Sequence, residues 1–213
     1  MSKRLYPYRD YDEHEVINLF ALNTANNQST DDGNGDSGVI VKVSAGDLNS
    51  NVIEHITSSY LGKTDYGTIG RVRYPEVPLK IAVAGTGDIP LGITLKETAM
   101  YDENNEKYLY YKQKAIEMDI VLSGQAVPVL TRGVVMLDQA AFVANTVPAV
   151  GVKLVVGSGA SGQFAEDGGA YDNNGAVVGL VLATGSRVAG ITADQFAGAA
   201  LSTGKYAMVQ LKF

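Results

Sequence analysis

The chain has 213 residues, a net charge of -6 and no cysteine, with 46% hydrophobic and 19% charged residues. That length suffices for one substantial domain or two small ones without covalent staples. The missing cysteines exclude disulfides, thiolate metal sites and cysteine nucleophiles, and the acidic balance argues against a broad nucleic-acid surface. No apolar run reaches the 18 or more residues of a membrane helix, and the first residues, MSKRLYPYRDYDEHEV, are too polar for a signal peptide. The 24 glycines, with many Val, Thr and Tyr, lean toward β structure.

Residues 1–14 carry aromatics and charges without a period and are broken by Pro7. Tyr-rich segments are poor candidates for free tails, so this reads as an extended arm that docks on a neighbour. Tyr and Arg dominate interface hot spots, which makes Tyr6, Tyr8, Arg9 and Tyr11 the expected arm contacts. Residues 15–74 read as a hairpin region. Glu15 to Leu22 and Gly38 to Ala45 are rich in strand formers and are expected to pair across a long polar loop. Asn51 to Gly62 suits a short helix or a strand. In Gly67 to Gly85, two strands are interrupted by Pro75 and Pro78.

Residues 75–213 read as a β-barrel domain. Within it, Asp102 to Ile120 lacks Gly and Pro, and the spacing of Tyr108, Tyr111, Ala115 and Met118 predicts one helical face. Gln125 to Leu137 is a strand pair or one bent strand, and Asp138 is placed to cap one or two helical turns. The remainder alternates strands with glycine turns, ending on an alternating strand, KYAMVQLKF. An internal echo suggests pseudo-repeats over 77–137 and 150–213. VPLKIAVAG resembles VGVKLVVGS, each is followed by a Gly-apolar-x-Leu strand (LGITL and VGLVL), and a further strand follows in both, GQAVPVLTRG and GKYAMVQLKF.

Motifs for chemistry are sparse. Gly157, Gly159 and Gly162 spell G-x-G-x-x-G, but neither a helix nor an acidic ribose ligand follows at the required distance, so they read as a hairpin turn. His14 and His55 each sit beside a carboxylate with no nucleophile arranged nearby; they read as a solvated and a half-buried side chain. Ser202 to Lys205 matches Ser-x-x-Lys without the helix that motif needs. Asp32, Asn34 and Asp36 begin like a Ca²⁺ loop, yet Ser37 and Val43 stand where Gly and Glu belong, which leaves only a weak candidate. Glu166, Asp167 and Asp172 have the same standing. No enzyme activity and no cofactor are expected.

From Val77 to Phe213, the succession DIPLGITLKET, GQAVPVLTRGVVML, AVGVKLVVGSGASGQF, AVVGLVLATG and KYAMVQLKF resembles the capsid decoration (cement) proteins of tailed bacteriophages. The resemblance is one of rhythm: short strands, glycine turns and a recurrent Gly-apolar-x-Leu. It implies a small β-barrel, to which the N-terminal arm, the hairpin and one or two short helices read above are added in a mainly β fold; Met1 to about Tyr74 is extra relative to the smallest such proteins. It also implies a non-enzymatic homotrimer on the outer capsid surface of a virion, clamping neighbouring major capsid proteins, with no nucleic-acid or membrane partner. Another virion part (head fibre, neck or tail) and a carbohydrate-binding β-sandwich are the rival readings; the latter lacks the expected Trp cluster.

Overall fold

A computed structural model of the chain describes residues 4–22, 35–44, 79–102, 104–108, 110–157, 162–169, 175–186 and 205–213. The fold is mainly β, with a closed five-stranded barrel and only short helices. The barrel comprises β2 (Val16–Leu22), β3 (Ile40–Val43), β4 (Lys80–Val83), β5 (Gly92–Thr94) and β8 (Ala126–Leu130), in the order β2-β4-β3-β5-β8. A six-stranded sheet comprises β1 (Leu5–Asp10), β9 (Arg132–Asp138), β10 (Lys153–Val156), β11 (Phe164–Glu166), β12 (Gly179–Ser186) and β13 (Lys205–Lys212). Its order is β1-β9-β13-β12-β10-β11.

Set β1 aside and the two assemblies share one topology. In each, the first strand pairs antiparallel with the last (β2–β8, β9–β13), and the last pairs with the fourth (β8–β5, β13–β12). The fourth pairs with the second (β5–β3, β12–β10), and the second with the third (β3–β4, β10–β11). Parallel pairing of β2 with β4 closes the barrel, and a lone parallel bridge, Phe142 to Phe164, stands at that place in the second unit.

The registers agree as well. Val41 lies opposite Gly92 as Leu154 lies opposite Gly179. Gly38 N–H donates to Thr94 O at 2.6 Å, and Gly151 N–H donates to Val181 O at 2.8 Å. Thr94 N–H donates to Val39 O as Val181 N–H donates to Val152 O, both at 3.0 Å. Leu91 N–H to Val41 O (2.7 Å) is matched by Val178 N–H to Leu154 O (2.8 Å). Gly38 and Gly151 open their strands with φ of 86° and 84°, a left-handed backbone that favours glycine.

These placements correct several expectations. β2 and β3 do not form a hairpin; β4 lies between them, and all three are staves of the barrel. The echoes of LGITL with VGLVL and of GQAVPVLTRG with GKYAMVQLKF join strands that hold equivalent places, β5 with β12 and β8 with β13. The third echo does not: the counterpart of β10 is β3, not β4. Both are short apolar strands ahead of a glycine turn, and a generic apolar pattern cannot separate barrel neighbours. The Gln125–Leu137 segment is two strands that part at Thr131, β8 joining the barrel and β9 the sheet.

The expected helix over Asp102–Ile120 shrinks to α1 (Lys112–Glu117). The Asp102 carboxylate accepts the N–H groups of Asn104 (2.9 Å) and Glu106 (2.8 Å), which winds the chain into a turn before a helix can start. Asp119 at φ 58° ends it. Of the four residues expected on one helical face, Tyr108 and Ala115 are buried, whereas Tyr111 and Met118 are exposed. Tyr108 and Ala115 pack with the parallel pair β6 (Glu97–Ala99) and β7 (Ile120–Leu122) into a small lobe, whose own core is Ala99, Tyr108, Ala115 and Ile120. Asp138 caps as expected, accepting from Ala140 N–H at 3.1 Å, but the turn it starts is a 3-10 turn over Gln139–Ala141.

Two apolar clusters hold the units. Leu22, Val39, Val41, Ile81, Val127 and Val129 fill the barrel. A larger cluster joins the second unit's interior (Leu137, Leu154, Val181, Val209) to the outer side of the barrel (Ile40, Ile93, Leu130), so the units share one continuous core.

Candidate partner-binding surface

The expected arm is extended, but its partner is its own chain. β1 lies antiparallel on β9, with Leu5 opposite Leu137, Arg9 opposite Val135 and Asp10 opposite Val134. Arg4 and Leu5 are buried. The Arg4 guanidinium bonds the Asp36 carboxylate at 3.2 Å, where both side chains are only 5% exposed, so the start of the chain is bolted to the residues leading into β3. Burial of both charges is tolerable because each supplies the other's counter-charge.

The four arm residues divide accordingly. Tyr6 donates its hydroxyl to Asp138 Oδ1 at 2.6 Å and sits edge-on to Tyr206, ring centroids 6.4 Å apart. Arg9 is half-buried and donates to Tyr6 O at 3.4 Å, and Tyr11 packs against the large core. Only Tyr8, 52% exposed, offers its ring to a partner. The arm's aromatic content was legible; that the aromatics would be spent within the chain was not.

A second display of apolar side chains belongs to the small lobe. Tyr110, Tyr111, Ile116 and Met118 are exposed there, Ile116 at 77%. Sequence reasoning missed Ile116 because its neighbour Ala115 satisfies the buried stripe. In a helix this short, the residue after a buried one turns roughly 100° away from it. Ile89, 89% exposed, projects beyond the turn between β4 and β5.

That turn is held by Asp88, which accepts from Lys42 Nζ (2.7 Å) and from Gly85 N–H (2.8 Å). These bonds hold the Asp88 carboxyl below its ordinary value, with the Lys42 hydrogen bond the largest cause. Asp102 is likewise depressed, first by its bond from Lys114 Nζ (2.7 Å) and then by the Glu106 N–H. Both carboxylates therefore act as anionic staples of turns.

The other sequence candidates fall as follows. Asp36 spends its carboxylate on Arg4, while Asp32 and Asn34 lie outside the described residues, as do His55, Gly159, Ser202 and Asp172. Among the described residues, no group of three or more His, Asp or Glu side chains is placed to hold a metal. Gly157 and Gly162 flank the connection between β10 and β11, an antiparallel pair, with Gly157 N–H donating to Gln163 O at 2.8 Å. They serve a hairpin, as expected. His14 is exposed in the 3-10 turn Glu13–Glu15, its N–H donated to Asp12.

No helix among the described residues is long and apolar enough to cross a membrane. No family model, no curated protein and no solved structure matches the chain.

Proposed function

We propose that the protein is a non-enzymatic virion structural protein of the decoration type. It binds the outer surface of a tailed-phage capsid as a homotrimer and clamps neighbouring major capsid proteins. The observation that carries this reading is the fold: short, glycine-turned strands closed into a five-stranded barrel, followed by a second set of five strands in the same pairing order, with every one of these strands except β2 and β3 drawn from the resembling stretch after Val77. The display of Tyr8, Tyr110, Tyr111 and Ile116 away from each core gives additional support, since exposed aromatic and aliphatic groups suit protein contacts. Many copies with modest contacts would hold a pressurised shell through avidity rather than through one strong interface.

Electron microscopy of source virions labelled with antibody against the chain tests the reading. Label over the heads is expected, together with a solution mass three times 22.5 kDa by light scattering. Label confined to the neck or tail would move the protein to those parts, and unlabelled particles would end the virion reading.

A further inference from the structure

The small lobe between β5 and β8 stands outside the pairing order that the two units share. Among the described residues, β6 and β7 pair only with each other. The lobe's core of Ala99, Tyr108, Ala115 and Ile120 has no residue in common with the cluster that fills the barrel. The barrel closes beneath it: Ile93 lies opposite Leu130, Thr94 opposite Val129, and Leu95 N–H donates to Pro128 O at 2.9 Å. Thr98 N–H, donated to Gly35 O at 2.7 Å, and Val121, packed against the barrel cluster, link the lobe to the rest.

Within the lobe, several features work against its stability. Two of the four core side chains are alanines, which bury little apolar area. The β6–β7 pair is three residues long, and α1 has six residues and no side-chain cap; neither element is stable alone. Asn105 and Asp119 hold left-handed backbones, at φ 63° and 58°. Thr98 is fully buried, and its hydroxyl has no hydrogen-bond partner. The buried Asp102 carboxylate opposes these costs by accepting from Asn104 N–H, Glu106 N–H and Lys114 Nζ.

We propose that the lobe is a separately opening unit: the chain from β6 to β7 opens and closes as one body while the five-stranded barrel stays shut at Leu95 and Pro128. Opening brings Tyr108 and Ile120 out beside Tyr110, Tyr111 and Ile116, which are exposed already. One motion thus enlarges the apolar display without loss of the barrel. The inference does not depend on the virion reading.

Native-state hydrogen exchange of the full chain, followed by NMR in rising sub-denaturing urea, is the test. The amides of Asp102, Tyr108 and Ala115 donate within the lobe, to Glu106 O, Met100 O and Tyr111 O. Those of Ala84, Leu91 and Thr94 donate to the barrel carbonyls of Ile40, Val41 and Val39. Protection of the lobe set should lie at least about 100-fold below that of the barrel set. Its urea slope should be shallower, because less surface is exposed. Thr98→Val replaces the unpartnered hydroxyl by a methyl group and should slow exchange in the lobe about tenfold, with the barrel set unchanged. Asp102→Asn should speed the lobe set about tenfold, again without moving the barrel set, and serves should the valine disturb the fold. One isotherm common to lobe and barrel, or substitutions that shift both sets alike or leave the lobe unmoved, overturns the proposal.

Discussion

The two five-stranded units have equivalent interiors and unlike exteriors. Inside, Val41, Val127 and Val129 of the barrel stand where Leu154, Ala207 and Val209 stand in the second unit, all of them buried. Outside, Ile40, Ile93 and Leu130 are fully buried, whereas their counterparts Lys153, Leu180 and Gln210 are exposed, half-buried and exposed. The barrel's outer face meets the second unit; the second unit's outer face presents polar side chains, as the last member of a stack of repeats does. Strand pattern thus selects the inner face. Whether the other face also becomes core depends on what lies against it.

The largest way to break this comparison is Arg4→Ala. The pair it destroys ties β1, a strand of the second sheet, to Asp36 at the entrance of the first unit's β3. Removing one partner of a buried pair should cost about 3–5 kcal/mol, read as a lowered urea midpoint. The same contacts mean that deleting residues 1–11 should destabilise the fold rather than leave it intact.

Next in size is the contrast between equivalent outer positions. Ile93→Ala should cost about 2–4 kcal/mol in equilibrium unfolding, and Leu180→Ala less than about 1 kcal/mol. Equal losses would mean that the two exteriors are covered alike.

The paired glycines sharpen the comparison further. Gly38 and Gly151 share a left-handed backbone, but a Cβ on Gly38 meets the Arg4 and Leu5 Cβ atoms at 3.3 Å, while one on Gly151 meets nothing within 4 Å. Gly151→Ala should cost about 1 kcal/mol from backbone strain alone, and Gly38→Ala about 2 kcal/mol, compared by thermal melting.

The smallest effect concerns acid. Asp88 sits in the β4–β5 turn of the first unit and Asp102 in the small lobe between β5 and β8, and each has a folded pKa below the ordinary 3.8. A depressed carboxylate contributes stability above its unfolded value and loses it as pH falls through the folded one. Below about pH 4, amide protection should therefore weaken in the Asp102 lobe and the Asp88 turn before it weakens in β12 and β13. Asp102→Asn should flatten that dependence in the lobe; simultaneous loss across both units would refute the assignment.

Much of this molecule was legible in particular residues. The alternation of KYAMVQLKF specified a half-buried strand, and Asp138 specified a cap. The mismatch of Gly157 and Gly162 with any following helix specified a hairpin. VIV at Val39–Val41, buried throughout, even announces a strand covered on both faces, whereas KLVV begins with an exposed lysine. The helix over Asp102–Ile120 misled because an apolar spacing carries no record of the Asp102 side chain capturing two backbone N–H groups first.

What the sequence determined by itself is local: strand-forming runs, turn residues with left-handed backbones, and the class of fold these build. Only the tertiary structure decided the partners. Strand pairing is set by backbone hydrogen bonds common to every residue, so nothing in LYPYRD distinguishes a neighbouring subunit from β9. Leu137 faces Leu5 only once β9 has come beside β1, and the Asp36 carboxylate reaches Arg4 only once the residues leading into β3 of the barrel lie against that sheet.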